Sequence, residues 1–197
     1  MKGPLRIAVA DDEPDMRDFF EKSLRRLGHQ VVAVAADGKQ LLDQVRATRP
    51  DLVITDIKMP ELDGIDVAVA IYKERPLPVI LVSAFHDAEL LQRAEADHIL
   101  GYLVKPIKHA DLEPAIALAL RRFQQFEELR KEAADLRQAL EDRKVIERAK
   151  GLLMKKAQLG EQEAFQRLQR LASDKCRKLV EIAKMILIAD EALQGPA

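Results

Sequence analysis

Ile54-Thr55-Asp56-Ile57-Lys58-Met59-Pro60 carries an apolar run, residues 52–55, straight into a carboxylate, and its reading decides the fold. Two other runs end in a comparable way. Residues 5–10 lead into the acidic pair Asp11-Asp12, and residues 102–104 lead into Lys105-Pro106. Short apolar runs separated by helical patterns read as parallel strands of an open α/β sheet. In such sheets the ligand site lies beyond the carboxyl ends of the strands, so three carboxylates and one lysine should converge there. Crowded carboxylates disfavour one another's ionisation. A divalent cation removes that cost, and hard oxygen ligands with a retained water shell suit Mg2+. A carboxylate so placed can accept a phosphoryl group in line, with the cation and Lys105 neutralising charge.

The neighbouring sequence supplies the rest of the sheet. A helical pattern over about 14–27 has Met16, Phe19, Phe20, Leu24 and Leu27 apolar and Gly28 as its stop. A second strand covers 31–35, and a second helix covers 38–48, ended by Arg49-Pro50. A third helix spans about 64–74 and stops before Pro76 and Pro78. The run Val79-Ile80-Leu81-Val82 ends at Ser83, and a fourth helix follows over 87–96. The fifth begins near Asp111 and meets no stop until about Ala157. Continuous apolar strands with helix-length crossovers predict a five-stranded, parallel, doubly wound (flavodoxin-like) sheet in the order 2-1-3-4-5.

Over roughly residues 4–120 these motifs resemble the receiver domain of two-component response regulators. The resemblance implies a role for each matching position. Asp12 would hold the metal directly and Asp11 through water, with Asp56 as the phosphoacceptor. The backbone carbonyl of Lys58 would complete the metal shell. Ser83 matches the hydroxyl residue that turns toward the phosphoryl group, followed by the small Ala84. Tyr102 matches the aromatic switch, and Lys105-Pro106 matches the lysine with its following proline, whose peptide bond is cis in this family. The implied donor is a phosphohistidine on a sensor histidine kinase. Beyond slow loss of the phosphoryl group to water, no enzymatic turnover is expected.

Composition fits a cytoplasmic regulator. In the 197 residues there is no run of about 18 apolar residues for a membrane span, and the first residues lack a secretory apolar region. His29, His86, His98 and His109 show no ligand spacing, and the single Cys176 excludes an internal disulfide. Charge is uneven. Residues 1–120 carry 15 basic against 20 acidic side chains, whereas residues 143–178 carry 11 against 4. An acidic half joined to a locally basic one suggests reception in the first and an anionic partner for the second.

In the long helix Phe126, Leu129, Ala133, Leu136 and Leu140 fall at alternating spacings of three and four, a coiled-coil seam over 126–140. Such a stripe pairs with a second copy of the chain or packs on its own domain. Beyond it, Val145, Ile146, Ala149, Leu152 and Leu153 form one apolar face. After Gly160 a helix over 161–172 places Ala164, Phe165, Leu168, Leu171 and Ala172 inward. Ser173 or Asp174 can cap a last helix with Leu179, Val180, Ile182, Ala183, Ile186 and Leu187 at helical period. These three make a small bundle. Outward-facing residues would include Arg148, Lys150, Lys155, Lys156, Arg167, Arg170, Lys175, Arg177 and Lys178.

The segments Ile146-Glu147-Arg148-Ala149-Lys150-Gly151-Leu152-Leu153-Met154, Gly160 with Ala164-Phe165 and Leu168, and Arg177-Lys178-Leu179 with Ile182-Ala183 resemble the ANTAR domain of transcription antitermination regulators. Cys176 stands where that family commonly has asparagine. The resemblance implies recognition of RNA hairpins in nascent transcripts. The contacts it implies are Lys150, Arg170 and Arg177, with Gly151 allowing close backbone approach and Ala164 and Phe165 as packing. The expected organisation is a receiver at 1–120, a coiled-coil helix at 121–142 and an ANTAR-like bundle at 143–197, dimeric through coiled coil and receiver. Two other outputs remain open at this point. Three helices around a tight turn can form a DNA-binding helix-turn-helix, and a basic face can serve a protein-interaction relay.

Overall fold

The structure is a computed structural model that describes residues 3–84 and 99–194. The helix expected over 87–96, with His86 and His98, lies outside those residues. Five parallel strands form one sheet in the order β2-β1-β3-β4-β5: β1 Arg6–Ala10, β2 Gln30–Ala35, β3 Leu52–Asp56, β4 Val79–Ser83 and β5 Ile99–Val104. The described helices are α1 Pro14–Arg26, α2 Gly38–Thr48, α3 Gly64–Glu74, α4 His109–Ala157, α5 Glu161–Asp174 and α6 Leu179–Gln194.

The chain divides into two compact units, residues 1–127 and 128–197. In the first, the two-residue period of a strand sends neighbouring side chains to opposite faces of the sheet. Ala8, Ala10, Val53, Val79 and Leu81 pack with Leu41, Val45, Ile65, Ala68 and Ile71 of α2 and α3. Ile7, Val9, Ile54, Ile80 and Val82 pack with Phe20 and Leu24 of α1 and with Leu112, Ile116 and Ala119 of α4. Both faces are covered, so the strands read as continuous apolar runs.

Local signals set the element ends. Gly28, at φ 82°, follows α1. The Asp37 side chain accepts from Gln40 N at the start of α2, and Asp63 accepts from Asp66 N at the start of α3. Two glycines have a tertiary reason. A Cβ on Gly38 would lie 2.0 Å from the Leu62 carbonyl oxygen, and one on Gly64 would lie 2.1 Å from that of Asp56. The first turn of α2 therefore clasps the loop after β3, and that of α3 the end of β3 itself, contacts that no spacing along the sequence announces.

In the second unit Ala149, Leu168, Ile182 and Ala183 are buried among Val145, Ile146, Leu153, Leu171, Leu179 and Ile186. Three expectations are corrected there. Ser173 and Asp174 do not cap the last helix; they are the final residues of α5, and α6 starts only at Leu179. Cys176 holds the turn between them with a left-handed φ of 50°. Phe165 does not point into the core: it is 37% exposed, while Ala164 and Leu168 are fully buried. One residue step turns roughly 100° around a helix, which puts Phe165 on the flank of the apolar stripe. Lys150 does not face outward: only 9% of it is exposed, because two carboxylates enclose it.

Within α4 the expected seam divides. Phe126 is half-buried, its ring 6.2 Å from that of Tyr72, whereas Leu129, Leu136 and Leu140 are 66, 65 and 56% exposed.

Candidate functional site

Strand register brings the acidic residues together. Ala10 of β1 pairs with Thr55 of β3, so Asp11 emerges beside Asp56. Asp56 in turn pairs with Val82 of β4, and Ser83 with Val104 of β5, which places Lys105 one step beyond. Lys105 Nζ donates to Asp56 Oδ2 at 3.0 Å and to Glu13 Oε1 at 3.2 Å, and lies 3.1 Å from Asp11 Oδ2.

The carboxylates are held from behind. Asp56 Oδ1 accepts the Ile57 N–H at 2.8 Å, and Asp11 Oδ1 accepts the Glu13 N–H at 2.9 Å. Arg17 donates to the backbone oxygens of Asp11 and Asp12 at 2.7 and 2.9 Å, fixing the turn after β1. Glu13 and Arg17 escape sequence reading, because a charged residue in the first turn of a helix looks like any solvated one.

Burial pushes the Asp56 carboxyl up, the hydrogen bond and charge of Lys105 pull it down, and the Asp11 charge pushes it up again; the result lies above the ordinary carboxylate value. For Lys105 burial lowers the ammonium, but the hydrogen bond to Asp56 and the nearby carboxylate of Asp11 outweigh it and hold it above the usual lysine value.

Asp11, Asp12 and Asp56 offer carboxylate oxygens within 4.8 Å of one another. Asp11 is fully buried and its Oδ2 accepts no hydrogen bond of good geometry, its nearby cation being an ion pair only. An oxygen-only set containing such an atom fits a hard divalent cation. Lys58 follows Asp56 by two residues with its side chain exposed. Ser83 is buried and its hydroxyl donates to the Ala84 carbonyl at 2.9 Å. Tyr102 and Val104 alternate along the exposed side of β5. The Lys105-Pro106 peptide bond is cis.

The residues expected to meet RNA are arranged differently. Lys150 Nζ lies 2.6 Å from Glu147 Oε2 and 2.7 Å from Glu161 Oε1, tying α4 to the start of α5. Hydrogen bonds to Glu147 and then Glu161 raise the ammonium above its usual value, and Lys150 lowers Glu161 in return. Gly151 is exposed, and a Cβ there would touch nothing within 4 Å. Arg170 and Arg177 are exposed.

A doubly wound sheet with an aspartate cluster and a lysine at the carboxyl ends of its strands defines a signal-receiver module. The response regulator receiver domain family matches residues 7–117, and the ANTAR domain family matches residues 134–187. The chain belongs to the response regulators that join a receiver domain to an ANTAR domain. It is similar to the transcriptional regulatory protein PdtaR of Mycobacterium tuberculosis, with 40% identity over 184 residues, 93% of this chain and 90% of the relative. Among solved structures, a response regulator receiver domain protein from Clostridium thermocellum has a TM-score of 0.56 at 31% identity, covering 61% of this chain and 97% of that one. NtrX from Brucella abortus has a TM-score of 0.55 at 29% identity, covering 74% of this chain and 34% of that one.

Proposed function

We propose that this protein is a phosphorylation-controlled antitermination regulator: Asp56 accepts a phosphoryl group from a sensor histidine kinase, and the C-terminal unit binds RNA hairpins as part of a homodimer. The observation that carries the first half is Lys105 Nζ 3.0 Å from Asp56 Oδ2 within the acidic cluster. An Asp56 carboxylate oxygen attacks phosphorus as the bond to the imidazole nitrogen breaks, and the lysine ammonium meets the transferring oxygens. Asp11, Asp12, Asp56 and the Lys58 carbonyl would hold Mg2+, which supplies charge neutralisation when bound. Ser83 leaves the Ala84 carbonyl for the phosphoryl group, and Tyr102 follows, remodelling the surface of β5 and the start of α4. Water later returns Asp56 to the free acid, so the protein acts as a timed switch and not as an enzyme with its own substrate.

The second half is supported by the ANTAR match, the basic excess of residues 143–178 and the exposed leucines of α4. Leu129, Leu136 and Leu140 are the stripe that a second copy would cover, on a helix that runs unbroken from His109 to Ala157. Pairing presents two bundles, so the second of two tandem hairpins binds intramolecularly. Among the described residues no helix is long and apolar enough to cross a membrane, in keeping with work in the cytoplasm.

Labelling with a small acyl-phosphate donor tests the acceptor: Asp56→Asn should take up no label, and stoichiometric stable labelling of that variant sinks the assignment. For the output, affinities are compared for a tandem-hairpin RNA, the same sequence as duplex DNA, and an acidic protein. Preference for either of the last two replaces RNA with a DNA-binding or relay output. Leu136→Glu with Leu140→Glu should weaken tandem-hairpin binding strongly and leave Asp56 labelling intact. Unchanged binding by that variant refutes dimer-based activation.

A further inference from the structure

Phe165 is the only aromatic residue in 128–197, and it is 37% exposed beside two fully buried neighbours in the bundle, Ala164 and Leu168. It lines a cleft between the end of α4 and the start of α5 together with Glu147, Lys150, Gly160, Glu161 and Gln162. Glu147 and Lys150 line the cleft on α4, and Glu161 and Phe165, four apart and so on one helix face, line it on α5. Lys150 spans the two helices through both carboxylates. Gly151 has open space where a side chain would sit, although glycine inside a helix lowers its stability. Nothing among its own neighbours requires that residue, so the room is available to a partner.

The charge of the cleft says which part of an RNA can enter. Carboxylates on both sides repel phosphate, and Lys150 is already neutralised by them. An aromatic face stacks on any base, while carboxylates accept hydrogen bonds from exocyclic amines. The phosphates are left to the exposed Arg170 and Arg177. Resting on the RNA-binding reading above, we infer that this cleft receives one unpaired loop base, stacked on the Phe165 ring with its exocyclic amine turned to Glu147 or Glu161. Adenine, cytosine and guanine carry that amine, and uracil does not. Lys150 acts here as a positioning residue that holds the two carboxylates at the spacing the base needs.

The test uses the full chain treated with beryllofluoride and a tandem-hairpin RNA selected by the parent protein from a pool with randomised loops. Phe165→Leu keeps the apolar bulk and removes the ring, and its thermal melt should stay close to the parent's. It should bind the selected RNA about tenfold or more weakly, as expected for the loss of one stacked base. At one loop position an abasic nucleotide should weaken the parent to the same extent and cost Phe165→Leu nothing further; uridine there should cost the parent an intermediate amount. Phe165→Trp should bind at least as well as the parent. If Phe165→Leu binds like the parent, or if its loss multiplies with the abasic loss at every loop position, the stacking site is wrong while RNA binding stands. If the parent enriches no RNA, the RNA-binding reading falls, and this site with it.

Discussion

At Asp56 burial and charge act against each other, and the sign of the balance can be measured. Its carboxyl is held above the ordinary value chiefly by burial, so the folded state binds a proton more tightly than the unfolded chain does. Its contribution to stability is therefore greatest at low pH and declines as pH rises from the unfolded value through the raised folded one. Asp56→Asn should raise the melting temperature of the metal-free protein by a few degrees at neutral pH and flatten the acid side of its stability profile. Adding Mg2+ should raise the parent's melting temperature and narrow the gap, and calorimetry with and without chelator checks both. Cys176 gives a second residue-scale expectation. A left-handed φ costs an L side chain about 1–2 kcal/mol, and glycine or asparagine adopts it more readily. Cys176→Gly should stabilise the protein by about 1 kcal/mol in urea denaturation, in line with the asparagine common at this place in the family.

At the scale of elements, two glycines at helical positions should respond in opposite ways. Gly64 opens α3 with its Cα against the Asp56 carbonyl, so Gly64→Ala must displace the end of β3. It should destabilise by about 1–3 kcal/mol, the usual range for overpacking, and slow labelling of Asp56 by acyl phosphate. Gly151 lies inside α4 with nothing near its missing side chain. Gly151→Ala should stabilise by about 1 kcal/mol from helix propensity alone and still weaken RNA binding. Thermal melts beside RNA titrations separate the two. A Gly151→Ala protein that binds RNA as well as the parent would remove this position from the interface.

At the scale of the whole molecule, one helix runs from His109 in the receiver domain to Ala157 in the ANTAR domain. If phosphorylation biases pairing of the exposed leucines, the mass in solution should rise toward a dimer when beryllofluoride and Mg2+ are added. Leu136→Glu with Leu140→Glu should stay monomeric under the same conditions. Lys105→Ala removes the cation shared by Asp56, Asp11 and Glu13. It should leave Mg2+ binding measurable and abolish the beryllofluoride-dependent change in mass. RNA affinity of the paired protein should fall steeply with salt, since exposed arginines and lysines neutralise phosphates by releasing counterions.

What the sequence determined by itself was the periodicity of single elements and the order of chemically distinct strand ends. Apolar runs ending at Asp11, Asp56, Ser83 and Lys105 imply a parallel sheet with one site, because side chains at neighbouring strand ends have nowhere else to meet. Gly28 and the prolines after α2 and α3 mark their ends through backbone chemistry that needs no partner. Tertiary structure alone decided how elements face one another. Glu13 reaches Lys105 across 92 positions, and Gly38 and Gly64 clasp the loop after β3 and the end of β3, which share no pattern with them. Lys150 looked like one more solvated cation until Glu161 closed over it, and Phe165 looked like core until its neighbours filled the core without it. Spacing along one helix gives the angle of each side chain about its own axis. Which edge of the apolar stripe is covered depends on the neighbouring helix, and that is a property of packing.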